Sequence, residues 1–140
     1  MKQNIPTALF AVCALFLSFC QHEKSEILNT ETGNEANIPW QECVVFSNYD
    51  LTICFLNASE YRCPCDVECV WEGSVDFTFR ATGPDLDSTF TLTASTNRLD
   101  LLRSITLGNV IINAEDASGI TCADYGNYEN YKAKVILTEE

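Results

Sequence analysis

The sequence predicts an all-β fold: an antiparallel β-sandwich, or a small barrel, of six to seven strands stabilised by disulfides. Three features carry that expectation. Val75, Phe77, Phe79 and Ala81 alternate with Asp76, Thr78 and Arg80, and Ala133, Val135 and Leu137 alternate with Lys132 and Lys134. A period of two is the mark of a strand with one buried face. The remaining apolar runs are short and separated by turn formers, with almost nothing that reads as helix. Cysteine is abundant, eight in 140 residues, and six of these fall within the region expected to fold.

The chain opens on an address. Lys2 is a minimal positive leader, and the apolar run from Ala8 to Leu17 is too short to span a bilayer, which is the pattern of a signal peptide over residues 1–19. Leu17-Ser18-Phe19-Cys20 resembles a bacterial lipobox, with Cys20 as the expected lipid-attachment residue and Phe19 standing where a small residue is usual. Two or more acyl chains on Cys20 would give a stable membrane anchor. Residues 20–39 are polar, rich in Glu, Asn, Thr and Ser, and are expected to form a flexible linker. Gln21 to Glu26 loosely resembles the tether of surface-exposed lipoproteins of some Gram-negative bacteria, and reads equally well as a solvated spacer.

Residues 40–140 are expected to form the β-domain. Cys43 to Phe46 and Leu51 to Leu56 are two short β-rich runs joined by a turn at Ser47-Asn48-Tyr49-Asp50, the second apolar on both sides and therefore central. The 75–81 strand ends at Gly83-Pro84-Asp85 and forms a hairpin with Thr89 to Thr93, where Phe90 and Leu92 alternate with threonines. Leu99 to Ile105 is ambiguous between helix and strand. Gly108 precedes a strand at Val110 to Ile112, Ala114 to Asn130 is a polar loop, and Tyr131 to Thr138 closes the fold.

Between the second and third strands lies the run Arg62-Cys63-Pro64-Cys65-Asp66-Val67-Glu68-Cys69-Val70-Trp71-Glu72-Gly73. Its composition is that of a cross-linked corner, with Trp71 expected to be buried and Gly73 expected to supply a bulge or an unusual backbone angle. A zinc site is disfavoured, because the spacing offers no second cysteine pair and the sole histidine, His22, lies in the tail. Arg62, Cys63, Pro64, Val67, Cys69, Val70, Trp71 and Gly73 resemble the signature of an uncharacterised family of small secreted bacterial proteins and lipoproteins. The likeness extends loosely to Leu107-Gly108 and to Tyr131-Lys132-Ala133, and departs from the family at Cys65. It implies a β-rich exported domain, no assigned activity, and a Cys63–Cys69 disulfide. In the chain-entropy picture that loop is worth about 2–3 kcal/mol.

With Cys13 lost in the signal and Cys20 lipidated, six cysteines remain, which suggests three disulfides outside the cytoplasm. Six thiols allow 15 pairings, and the sequence does not choose among them. Cys43–Cys122, which would tie the first strand to the last loop, is the next expectation. Cys54–Cys65 then remains.

Removing residues 1–19 takes away one of the eight basic residues and none of the twenty acidic ones, so the net charge moves from -12 to -13. Such acidity excludes nucleic acid as a natural partner. Without a histidine in the domain, imidazole-dependent acid–base or triad chemistry is excluded too. Asp85 with Asp87, and Glu115-Asp116 with Asp124, read as turn formers and solvated charge in preference to calcium ligands. No metal or cofactor is expected. Tyr125, Tyr128 and Tyr131, spaced by three, form the candidate surface, with Tyr125 and Tyr128 as the residues that would stack on a glycan or peptide; the other reading is that Tyr131 begins the last strand, Tyr128 pins the loop and only Tyr125 is free. The expected function is non-catalytic binding at the bacterial outer membrane, on its periplasmic or surface face, with the membrane as one partner through the lipid and a glycan, peptide or envelope protein as another. An accessory role in an envelope or secretion assembly is the alternative, and a carboxylate-dependent hydrolase is the third class.

Overall fold

The computed structural model describes residues 26–31, 33–70, 73–94, 102–118 and 125–140. The signal, Cys20, Trp71 and Cys122 lie outside the described residues. In chain order the strands are β1 (Glu26–Glu31), β2 (Glu35–Pro39), β3 (Glu42–Phe46), β4 (Leu51–Glu60), β5 (Val75–Gly83), β6 (Leu86–Ala94), β7 (Ser104–Leu107), β8 (Val110–Asp116) and β9 (Lys132–Glu139). They form two sheets, one in the order β1-β3-β4-β5-β6 and one in the order β2-β9-β8-β7. Among the described residues, only β1 on β3 is a parallel pair. The architecture is the expected sandwich, with more strands than the six or seven foreseen.

Two of the additional strands occupy the segment expected to be a linker. β2 buries Ala36 and Ile38 while Glu35 and Asn37 face solvent, and it pairs with β9 from Glu35↔Ile136 to Pro39↔Lys132. An edge strand needs only one apolar face, and here two residues supply it, too few to stand out from a polar composition. The folded region therefore begins well before residue 40.

The core lies between the sheets. Phe55, Phe77, Phe79 and Leu92 come from one sheet, and Ile38, Ile112, Val135 and Leu137 from the other, all fully buried. Phe55 and Phe77 meet edge to face at 4.9 Å, and Phe79 and Phe90 lie 5.8 Å apart. Aromatic pairs of this kind add about 0.5–1.5 kcal/mol each beyond burial.

Two local irregularities shape the end of the sandwich that matters below. The chain passes from one sheet to the other at Trp40 and Gln41, where Gln41 takes a φ of 61°. Trp40 N donates to Tyr131 O at 3.0 Å, and Gln41 N donates to Phe55 O at 2.9 Å, so consecutive amides satisfy opposite sheets. Across from that switch, the register of β4 on β5 slips between Phe55↔Phe79 and Asn57↔Thr78, leaving Leu56 as the extra residue of a bulge. The bulge shifts the inward face from Ile53 and Phe55 to Ala58, and hence to Glu60 two residues on. A carboxylate is thereby aimed at the core side.

Hairpin chemistry is as the turn residues foretell. Pro84 and Asp85 form the two-residue turn between Gly83 and Leu86. Gly108, at φ 64°, opens the two-residue turn between Leu107 and Val110, a conformation that glycine reaches without steric cost. The ambiguous stretch ends in a strand, because Ser104 to Leu107 pairs with β8.

The disulfides correct two expectations and meet one. Cys63 and Cys69 are bonded. Cys43, however, pairs with Cys54, and not with Cys122. Phe46↔Leu51 closes the β3–β4 hairpin, and counting outward sets Cys43 directly opposite Cys54, with 3.9 Å between their Cα atoms. Side-chain contact across a ladder leaves no reason to seek a distant partner. Cys54–Cys65 is excluded by the same bond. Cys65 is itself disulfide-bonded.

Candidate functional site

The corner after β4 is held by close backbone packing and by one arginine. Tyr61 N donates to Ser74 O at 2.8 Å, bringing the two arms of the corner together. Gly73 sits where a Cβ would overlap the Tyr61 carbonyl and the Arg62 Cα. The glycine thus serves the close approach of the two arms.

Arg62 spends its guanidinium on two carboxylates from different sheets. Nε and Nη2 donate to Glu60 Oε1 and Oε2 at 2.7 and 2.5 Å, and Nη1 donates to Asp116 Oδ2 on β8 at 2.8 Å. Tyr131 donates its hydroxyl to Glu60 Oε2, and its ring lies under the guanidinium, 5.9 Å from Cζ to centroid. Tyr125 donates to the Arg62 carbonyl at 2.6 Å. The Glu60 side chain is only 4% exposed. Together these groups bolt β4, β8 and the start of β9 at one end of the sandwich.

The electrostatics follow from that packing. Burial pushes the Glu60 carboxyl up, but the hydrogen bonds from Arg62 and Tyr131 outweigh it and leave it below its ordinary value. Burial, reinforced by the bond to Glu60, pushes the Tyr131 phenol up to about 12. The bonds to Glu60 hold Arg62 more firmly protonated than usual. A general acid working near neutrality needs a carboxyl pushed the other way. Glu60 and Asp116 are the two ion-pair partners of Arg62.

Beside Asp116 the surface is concave. A cleft of about 450 Å³ is lined by Thr93 and Ala94 of β6, by Arg103, and by residues 113–116 of β8. It forms where the two sheets meet edge to edge: Thr93 N donates to Leu102 O at 2.7 Å, and Ala114 N to Arg103 O at 3.3 Å. Thr93 Oγ1 donates to Asp76 Oδ1 at 2.8 Å, fixing that wall. Nε and Nη2 of Arg103 are buried with no hydrogen-bond acceptor among the described residues.

Comparison with protein-family models, with curated proteins and with solved structures finds no match for this chain.

The structure places the foreseen residues differently from one another. Tyr125 is half-buried and spends its hydroxyl on Arg62, while Tyr131 is fully buried, so the three rings form no stacking platform. Tyr128 alone presents its ring at the surface, 36% exposed, with its centroid 5.5 Å from that of Tyr131. The period of three fails because the last of the three residues enters β9 on its inward side. Asp87 is taken by Arg80 in a paired contact at 2.8 and 2.7 Å. Among the described residues no group of three or more His, Cys, Asp or Glu side chains stands together as a metal site. Neither Arg103 nor the Glu60–Arg62–Asp116 set was foreseen. The one available signal was that Arg62 precedes Cys63 in the corner signature.

Proposed function

We propose that this chain is an exported, lipid-anchored module of the bacterial cell envelope that binds a small ligand without transforming it. The cleft beside Arg103 carries the reading: it is a concave surface with a few convergent polar groups, and Asp116, one of the two carboxylates that line it, is held by Arg62. Bonded cysteines support an oxidising compartment. The lipobox-like Leu17-Ser18-Phe19-Cys20 supplies the route to the membrane.

The accessory reading has its own observation. Tyr61, Val67 and Val70 are 59%, 53% and 95% exposed on the cross-linked corner, an apolar knuckle of the kind a protein partner covers.

The test uses the full chain, expressed in a Gram-negative host and purified from membranes in mild detergent. Intact mass should equal the chain from Cys20 onward plus acyl groups, and a mass equal to the whole precursor would refute the anchor. Thermal melts against amino acids, short peptides and oligosaccharides should then find a ligand that raises Tm. At about a hundredfold excess over Kd the stabilisation is about 2.7 kcal/mol, several degrees for a domain of this size. Asn113→Trp, which fills the cleft, should remove that shift. Binding unaffected by Asn113→Trp would place the site elsewhere, and turnover of the ligand would make the protein an enzyme.

A further inference from the structure

We infer that the free edge of β6 takes an extended, basic peptide segment of a partner protein as an added strand. Of the four strands that end the two sheets, three carry a guard of the kind that keeps edges from pairing. β1 slips register between Ile27 and Asn29, β2 ends on Pro39, and β7 is four residues long. β6 has no such guard. It runs for nine residues without proline, lysine or arginine, on an unbroken ladder with β5 from Val75↔Ala94 to Gly83↔Leu86.

That ladder fixes which backbone groups face outward. In an antiparallel pair, successive residues turn their N–H and C=O groups alternately toward the partner strand and away from it. The two-residue turn makes Gly83 and Leu86 a hydrogen-bonded pair, so Asp87, Thr89, Thr91 and Thr93 turn theirs away from β5. Two contacts agree with that phase. Thr78 and Thr91, a close non-bonded pair, meet hydroxyl to hydroxyl at 3.1 Å, and Thr93 N donates outward to Leu102 O at 2.7 Å. Leu102 thus stands beside β6 where a further strand would run, and the chain then leaves for β8, where Arg103 O accepts from Ala114 N. Asp87, Thr89 and Thr91 are exposed and have no backbone partner on that side among the described residues.

Side chains and charge define the occupant. Leu86 and Phe90 point inward at this edge, and β7, on the same flank of the sandwich, turns Ile105 and Leu107 inward and leaves them only partly buried. Phe90 is 8% exposed where Phe55, Phe77 and Phe79 are at 0%. Every second residue of an incoming strand would sit against these groups and gain by being apolar. The residues between them would lie on the outer face of a protein of net charge -12, and gain by being basic. Asp87 is already matched by Arg80, so the attraction comes from the field of the whole protein and not from one pair. The same charge opposes a second copy of this chain in that place. Residues 86–91 lie outside the cleft, whose lining on β6 is Thr93 and Ala94.

The experiment uses the detergent-purified, isotope-labelled full chain and the peptide acetyl-Lys-Val-Lys-Val-Lys-Val-Lys-amide, with amide exchange followed by NMR. In the free protein Asp87, Thr89 and Thr91 should exchange rapidly, while Phe90, bonded to β5, and Thr93, bonded to Leu102, exchange slowly. At saturation the peptide should slow the first three about tenfold or more. Two isomers N-methylated on alternate residues separate strand pairing from general attraction. The one whose methyls face β6 should bind about tenfold or more weakly, and the other should bind as the parent does. Glu in place of Lys in the peptide should weaken binding by about the same factor. Thr89→Pro removes an outward N–H and no bond to β5, so it should fold and lose the peptide. Thr91→Lys keeps every backbone group, and should weaken the basic peptide by charge alone. Equal loss, or no loss, in both N-methyl isomers would overturn the inference, as would binding that leaves Thr89 and Thr91 exchanging freely, or no binding at all. Slow exchange of these amides in the free protein would overturn it too. If that protection grows with concentration, a second copy occupies the edge; if it does not, the chain covers the edge itself.

Discussion

Arg62 and Glu60 show how one side chain is satisfied at the expense of its freedom to do chemistry. Glu60 is carried inward by the β4 bulge and meets two donors there, so its charged form is the one the fold prefers. A carboxyl whose folded value lies below its ordinary 4.5 contributes stability above that pH and loses it as the pH falls through the folded value. Glu60→Gln should therefore destabilise the protein by about 2–3 kcal/mol at neutral pH, the range for disturbing a partly buried, hydrogen-bonded ion pair with one partner near the surface. Measured by denaturant melts, the gap between wild type and Glu60→Gln should narrow steadily below pH 4.5. A gap independent of pH would mean that Glu60 matters only through its shape. Tyr131 behaves in the opposite sense: its preference for the neutral phenol holds below its ordinary 10 and fades as the pH climbs toward about 12.

At the scale of elements, the strand pairings explain which disulfide is which. Cys43 and Cys54 lie on the outward side of the first sheet, since Val44, Ile53 and Phe55 point inward, and the hairpin turn fixes them opposite one another. Their bond closes a loop of about twelve residues and is worth about 3 kcal/mol in the chain-entropy model, against about 4–5 for the Cys43–Cys122 loop expected from sequence. Replacing Cys43 and Cys54 together by serine should cost no more than about 3 kcal/mol and leave a folded domain with an unchanged Cys63–Cys69 bond. Non-reducing peptide mapping of that variant checks it, and reshuffled cystines would show that the first bond directs the second. The pairing was within reach of the sequence, because the turn at Ser47 to Asp50 and the two flanking runs already set the register; the arithmetic had only to be carried to Cys43. The strands with clean alternation, β5, β6 and β9, were legible for the same reason. β2 was not, because Ala36 and Ile38 are its only apolar inward residues, and the bolt at Arg62 was not, because a bulge that turns Glu60 inward leaves no trace in a period-two pattern.

Over the whole molecule, the segment between the expected anchor and residue 40 works as a clamp. β1 extends the first sheet along β3, and β2 extends the second along β9, so a run of fourteen residues from Glu26 to Pro39 joins both layers. Only residues 21–25 separate Cys20 from β1. At about 3.5 Å per residue that allows roughly 20 Å of reach, so a domain lipidated at Cys20 stays close to the bilayer. The clamp also bears on stability. A chain beginning at residue 40 forfeits the burial of Ile38 and Ala36 and exposes the β9 ladder, where five register pairs from Glu35↔Ile136 to Pro39↔Lys132 had been. Burial of one isoleucine and one alanine, with the edge hydrogen bonds, amounts to about 3–5 kcal/mol, a large part of what a domain of this size possesses. A chain beginning at Glu26 should unfold in a single transition close to that of the full protein, whereas one beginning at residue 40 should melt at markedly lower denaturant and tend to associate through its open edge. Equal midpoints for the two would return residues 26–39 to the role of a tether, and a domain lipidated at Cys20 would then stand well clear of the membrane.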